Sequence, residues 1–377
     1  MNIYLKFAGI GIVAATVFAL VAVVPQTATS QQVVDKPVEQ VRKNIQVLQG
    51  LPDSQLFLVM NFVGDSLGVH CDYCHVKGEK NPQTGSDTWL WEKDDKRTKS
   101  VGRNMMRMVL DLNRTRFNGE TEVTCYTCHR GSTRVERMAP LPPKDFAKEA
   151  PRAEKKTLPS ADEVVARYFS AVGAKQKEVL SSAIVMKGAV ESSSGPASVE
   201  VVFKQPNKVW IKQTTASQGV STRATNGTTG WIQNAHGVTQ ITGDRLKQSA
   251  AAIVIYNPVK IPDSVNQRTD IRLAKVDDRD AYILTIRDNS TQLTQLFFDV
   301  DSGLLLRRVN VTNTMLGPLN VQWDFSDYRE VNGLKLPFVI RTSDVAAFDT
   351  TVRKFSEIKV EPSRDDSIFE APRTSSP

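Results

Sequence analysis

The pentapeptide Cys71-Asp72-Tyr73-Cys74-His75 is repeated in form as Cys125-Tyr126-Thr127-Cys128-His129, and the two copies use every cysteine of the 377-residue chain. Two thiols three positions apart can reach the two vinyl groups on one edge of a porphyrin. The histidine on the next residue can then turn over the ring to an axial position on iron. The spacing therefore predicts two haem c groups, held through Cys71 and Cys74 and through Cys125 and Cys128, with His75 and His129 on the irons. The chain has only four histidines, so finding one directly after both cysteine pairs is not an accident of composition. Zinc ribbons place their pairs about 15 to 20 residues apart, whereas about fifty residues lie between Cys74 and Cys125. A thioredoxin-like dithiol needs one pair beside a βαβ pattern, which is missing here. A disulfide staple leaves both histidines unexplained.

A six-coordinate haem needs a second axial ligand, and two helical patterns precede the two motifs. Pro52-Asp53-Ser54 starts a helix rich in Leu56, Leu58, Val59 and Phe62 that ends between Gly64 and Gly68. Met60 lies on it, fifteen residues before His75, so that helix and turn can fold one ligand onto each face of one ring. The second pattern runs from about Lys96 to Asn113. Val101, Met105, Met108, Val109 and Leu112 form its apolar stripe and leave Met106 on another face. The stripe leaves Met105 and Met108 as competing ligands for the second haem and makes Met106 the poorest candidate. His70 is too tightly tethered to Cys71 to cross that ring, which leaves it a solvent or propionate contact. His236 falls in a hairpin. The segment from Lys93 to Arg116 has eight basic residues against three Asp; Arg103, Arg107 or Arg114 could offset haem propionates or guide an acidic partner.

The length suggests two or three folded units. Lys6 is followed by an uncharged stretch from Phe7 to Val24, then Pro25 and the small residues Ala28, Thr29 and Ser30. Residues 1–30 read as a signal peptide cut near Ser30, or as an uncleaved N-terminal anchor, since eighteen uncharged residues lie at the lower edge of a membrane span. Either way the rest of the chain is expected outside the cytoplasm. Residues 31–139 form the two-haem unit, opening with a helical lead-in carrying Val41, Ile45 and Leu48 at helical spacing. Residues 140–159 are a charged, proline-rich linker. Residues 160–377 form a β-rich unit. It starts with a helix capped by Ser160 with Glu163 at the capping-box position, and continues with strands such as Val201-Val202-Phe203 and Val321-Gln322-Trp323. Asp301-Ser302-Gly303 and Asn332-Gly333 mark hairpins. A helical interruption is expected around Arg245 to Ile255. The expected fold class is α+β and multidomain: a mainly α-helical two-haem domain followed by a curved antiparallel sheet, half-barrel-like, with a helix or two against it.

From Met60 to His75, then Lys99 to Asn113, then Val123 through Gly131, the residues resemble the cytochrome c subunit of photosynthetic reaction centres, over about residues 38–143. In that family each haem is served by a helix bearing a methionine ligand, a loop and C-x-x-C-H. The resemblance implies Met60 for the first haem and Met105, rather than Met108, for the second. Familiar members have four haems in two such halves and a lipid-bearing cysteine; this chain has one half, no spare cysteine, and no histidine between Met105 and Cys125. Tyr328 to Pro337, with Ser356-Glu357-Ile358, weakly resemble the closing strands of periplasmic lipoprotein-sorting proteins, which implies a lipid or lipoprotein as partner for the C-terminal domain.

The net charge of +7 is spread over interspersed acidic and basic residues, with no basic run interleaved with aromatics, so nucleic acid is not an expected partner. No catalytic base, nucleophile or open metal site is visible. The expected function is that of a non-enzymatic, exported one-electron carrier in periplasmic electron transport. Its partners would be membrane-bound or periplasmic redox proteins, a photosynthetic reaction centre among them. Two alternatives stand beside it: a haem-based redox or gas sensor, and a lipid- or lipoprotein-binding module with a cytochrome domain attached.

Overall fold

The computed structural model describes residues 35–80, 87–138, 158–173, 183–193, 195–216, 218–235, 237–241, 246, 268–287, 292–344, 349–361 and 364–372. The N-terminal segment through Ser30, the bulk of the linker, His236 and almost all of the expected Arg245–Ile255 helix lie outside them. Among the described residues no helix is long and apolar enough to cross a membrane.

The N-terminal part is built on helices. The lead-in is not the helix expected: only Val38–Val41 (α1) is helical. Asn44 and Leu48 adopt left-handed backbone, at φ 59 and 72, and a helix cannot propagate through such residues. Val38, Val47, Leu48 and Leu51 are nonetheless buried, while Val41 is 47% exposed. The segment thus packs as an irregular strap. Asp53–Leu67 (α2) stops at Gly68, whose φ of 65 is the left-handed cap that glycine tolerates. Val76–Lys77 (β1) and Trp89–Leu90 (β2) make a two-stranded ribbon. Arg97–Arg116 (α3) is the longest helix among the described residues, and the short Cys125–His129 (α4) follows it.

Ala161–Val172 (α5) begins as its sequence dictates. Ser160 Oγ accepts from Glu163 N at 3.2 Å, and the Glu163 carboxylate accepts from Ser160 N at 2.6 Å. The strands Ala183–Glu191 (β3), Ala197–Lys204 (β4), Lys208–Thr215 (β5), Gly219–Thr225 (β6), Gly230–Asn234 (β7) and Gly237–Ile241 (β8) form one antiparallel meander. Arg268–Val276 (β9), Arg279–Arg287 (β10), Gln292–Asp299 (β11), Leu305–Thr314 (β12), Gly317–Val331 (β13), Leu334–Asp344 (β14) and Asp349–Glu361 (β15) form a second. The two fuse where β15 pairs with β3, giving one large open 13-stranded antiparallel sheet. Gly303 (φ 74) and the pair Asn332 and Gly333 (φ 52 and 80) make the tight turns expected of them. One face buries Leu284, Leu296, Phe298, Trp323, Phe325 and Ile340 under Val164, Tyr168 and Val172 of α5.

The β12–β13 hairpin leaves the sheet and enters the helical core. Leu316 and Leu319 pack with Val59 and Phe62 of α2 and Met106 of α3. Gly317, at φ 152, sits so close to the Phe62 ring and the Thr124 methyl that a Cβ there would collide with Phe62.

Candidate haem site

Both C-x-x-C-H motifs are wound into single turns. His75 N donates to Cys71 O at 2.9 Å within the 3-10 turn Cys71–Tyr73 and its continuation. In the second motif Thr124 caps α4: Thr127 N donates to Thr124 Oγ1 at 3.3 Å and Thr124 N to Thr127 Oγ1 at 3.0 Å. Helical winding brings cysteines at i and i+3 to the same side. Arg130 and Gly131 then take left-handed backbone (φ 50 and 81) and end the helix.

One long helix positions both motifs. At the start of α3, Lys96 Nζ donates to the Asp72 carbonyl and Thr98 Oγ1 to the Tyr73 carbonyl at 2.6 Å. At its far end the buried Asn113 amide clamps Val123, donating to its carbonyl at 2.7 Å and accepting from its N–H at 2.9 Å. The end of α2 braces the second motif as well: Gly131 N donates to Ser66 O at 2.9 Å, and Gly68 lies directly against the Gly131 carbonyl.

The two histidines differ in setting. His129 Nδ1 faces the Ser132 carbonyl at 2.9 Å. With its proton on Nδ1 that bond fixes the ring and leaves Nε2 free for a metal. His75 is half-buried. Burial lowers its basicity first, Lys99 lowers it further, and the Trp91 backbone acts in the opposite sense. Its Nδ1 is buried without a hydrogen-bond partner among the described residues. The ring meets Trp91 edge-on at 5.0 Å, and Trp89 stacks on Trp91 at 5.0 Å. This loop is tied down by Lys99, only 8% exposed, whose Nζ donates to Trp91 O at 2.7 Å and Lys93 O at 2.6 Å. Asp94 pairs with Lys99 at 3.0 Å and Arg103 at 2.9 Å. Arg103, Asn44 and Lys99 together hold the Asp94 carboxyl far below the usual range.

Among the described residues no two cysteines are joined in a disulfide, and burial pushes the Cys74 and Cys125 thiols up. No cluster of three His, Cys, Asp or Glu that could hold a bare metal ion occurs among the described residues. Instead, a single cavity of about 640 Å³ is lined by Cys71, Cys74 and His75, by Cys125, Cys128 and His129, and by Met60, Met105, Met106 and Met108. Three residues of the α3 stripe stay uncovered beside this cavity, while the fourth, Val109, is packed into the protein. Val101, Met105 and Met108 are 45%, 40% and 52% exposed, whereas Met106 and Val109 are buried. Apolar side chains left uncovered around a concave space fit a large apolar ring. Of the candidate propionate partners, Arg103 lines the cavity, but Arg107 and Arg114 turn to Asn104 and Asp111. Asn113, Lys99 and Trp91 escaped the sequence reading, since only tertiary contacts distinguish them from surface helix and loop residues.

A family model described as "Photosynthetic reaction centre cytochrome C subunit" matches residues 13–223, more than half of the chain. The photosynthetic reaction center cytochrome c subunit of Thermochromatium tepidum is 36% identical over 99 residues, covering 25% of this chain and 21% of that protein. That of Roseobacter denitrificans is 33% identical over 96 residues, covering 24% of each. The chain thus spans about a fifth to a quarter of the length of these relatives. Among solved structures, a LolA superfamily protein from Nitrosomonas europaea is similar at 12% identity and a TM-score of 0.39, covering 57% of this chain and 99% of that one. With the match across residues 13–223, the chain belongs to the photosynthetic reaction centre cytochrome c subunit family.

Proposed function

We propose that the chain is an exported c-type cytochrome that binds two haems and passes single electrons between redox partners outside the cytoplasm, without catalysing a further reaction. The observation that carries this reading is that both C-x-x-C-H motifs and the candidate methionines line one cavity. Cys71 and Cys74 would hold the first haem, with His75 and Met60 as axial ligands. Cys125 and Cys128 would hold the second, with His129 and Met105. Haem c supplies a reversible one-electron iron couple, and His/Met ligation raises its potential. The chain's own contribution is placement. The Ser132 carbonyl orients His129, Asn113 fixes the approach to Cys125, and Lys96 and Thr98 hold the carbonyls within the first motif.

In this reading residues 1–30 export or anchor the chain, residues 31–139 form the cytochrome module, 140–159 the linker and 160–377 the β-rich module. The site of action is the periplasm or the outer side of the inner membrane, and the partner is a reaction centre or another membrane-bound or periplasmic redox protein. A pyridine haemochrome assay with intact-mass measurement, after export with a haem-attachment system, tests the reading. Two haems per chain are expected, and one in the Cys71→Ala/Cys74→Ala variant. Colourless mature protein, or zinc on the four sulfurs, would overturn it.

A second reading concerns the sheet. We propose that it binds a lipid or lipoprotein, because the segments resembling sorting proteins, Tyr328–Pro337 and Ser356–Ile358, lie in the β13–β14 hairpin and in β15 of one open sheet.

A further inference from the structure

The first motif runs straight into a ribbon that brings two tryptophans back to it. Val76, the residue after His75, pairs with Leu90, and Lys77 pairs with Trp89. The Trp91 ring meets the His75 ring at 5.0 Å and 72°, and the Trp89 ring lies along Trp91 at 5.0 Å and 16°. Trp91 lines the cavity, whereas Trp89 stands outside its wall. Beyond Trp89 lies the surface: Lys77 Nζ is 5.5 Å from the centre of its ring and pairs with the exposed Asp87 at 2.8 Å. Three rings in sequence thus lead from the histidine of the first motif to the outside of the protein.

Packing alone does not account for this arrangement. Leu90 and Trp91 stay 38% and 37% exposed, and Phe57, itself 48% exposed, meets Trp91 edge-on at 5.8 Å. Contiguous apolar surface left in water marks a place of contact. The rings are nevertheless held fast. A ribbon with two residues per strand is too short to persist unaided, and here the buried Lys99 ammonium ties down the Trp91 and Lys93 carbonyls while Gly78 N donates to Thr88 O at 2.9 Å. Electron exchange between a cofactor and the outside weakens steeply as the gap widens, and rings fixed in stacked and edge-on contact bridge that gap with overlapping π orbitals. His129 has no such ladder: its ring is held by the Ser132 carbonyl, and no aromatic ring contacts it among the described residues.

We propose that Trp91 and Trp89 form the path an electron takes between the first haem and the protein surface. The donor loses one electron and the ferric iron gains it; no proton moves, no bond forms or breaks, and neither indole is itself oxidised. The inference rests on the two-haem electron-carrier reading above and adds to it the route at one haem. Laser-flash reduction of the full mature holoprotein tests it, with a tris(bipyridine)ruthenium(II) photosensitiser attached at Asp87→Cys, two residues before Trp89. The excited ruthenium(II) becomes ruthenium(III) as a ferric haem becomes ferrous. The same label at Arg134→Cys, five residues beyond His129, is the control. Trp89→Leu should slow haem reduction from the Asp87 site several-fold and leave reduction from the Arg134 site unchanged, with both haem potentials and the low-spin absorption spectrum as in the wild type. Trp89→Phe, which keeps a ring, should fall between the two. An unchanged rate from the Asp87 site in Trp89→Leu, a Trp89→Phe protein as slow as Trp89→Leu, equal slowing from both labels, or a change in potential that accounts for the slower rate would overturn the inference. If intact mass shows that the labelled protein with both tryptophans holds no haem, the reading of the chain as a cytochrome fails instead.

Discussion

Replacing Leu316 by Ala should loosen the helical region although the residue belongs to the sheet. Leu316 is fully buried and packs with Val59, Phe62 and Met106, two residues of the helix that carries Met60 and one of the helix that carries Met105. The side chain sits at a turn held by Thr314 Oγ1, which donates to Gly317 O at 2.7 Å. The Phe62 ring occupies the place a Cβ of Gly317 would take, so the turn has little room to follow a shrinking neighbour. A cavity that cannot collapse puts a Leu→Ala change in the upper part of its usual range, about 3 to 5 kcal/mol. The loss should fall on the helices, because the β12–β13 pairing below the tip is untouched. Denaturant unfolding followed by two probes separates the regions: absorbance of the haem chromophore for the helices, far-ultraviolet circular dichroism at the strand minimum for the sheet. The haem-monitored midpoint should drop well before the strand-monitored one. Val220→Ala, at a 47% exposed position on β6, serves as control and should cost less than about 0.5 kcal/mol. An unchanged haem-monitored midpoint in Leu316→Ala would refute the idea that the hairpin completes the helical core.

Three further outcomes are expected. Asn113→Leu leaves the Val123 N–H and C=O without partners and should cost about 1 to 3 kcal/mol, with incomplete haem attachment at Cys125 and Cys128 visible by intact mass while the first motif loads normally. Gly68→Ala forces a side chain into left-handed backbone against the Gly131 carbonyl; it should destabilise by about 1 kcal/mol or more, and a melting temperature equal to wild type would contradict that contact. Asp94 titrates far lower in the folded protein than the ordinary carboxylate value of about 3.9 in the unfolded chain. The folded state therefore binds fewer protons. Its contribution to stability is present above about pH 4 and is lost as the pH falls below it. Asp94→Asn should flatten that part of the stability profile measured by urea unfolding, and an identical acid limb in the variant would be the negative result.

The parts of the site that rest on local chemistry were readable from the chain alone. Helix α2 begins after Pro52 and ends at Gly68, and α5 begins at Ser160, because caps are decided by the residues that make them. The hairpins at Gly303 and Gly333 were readable for the same reason. The strap at residues 38–51 was not, since its apolar residues keep helical spacing while Asn44 and Leu48 turn the backbone the other way to meet α2. Met106 shows a related limit. Periodicity separates one side of α3 from another, but it does not say which residues reach a cavity: Met105, Met106 and Met108 all line it, Met106 while packed in the helical core. The insertion of Leu316 and Leu319 into the helices was invisible for a simpler reason: the contact joins residues more than two hundred positions apart, and nothing in either segment announces it.

The pairing of β15 with β3 has a consequence for how the molecule is made. Val352 lies beside Glu191 and Val360 beside Ile184, so the seam of the sheet waits for β15 to leave the ribosome. Until then the two meanders are separate, each with a raw edge, and such distant pairings are slow to form. A chain clipped before residue 349 would lose β15 and its hairpin with β14 and never join the two meanders, and its bare β3 and β14 edges would be the places where copies stick to one another.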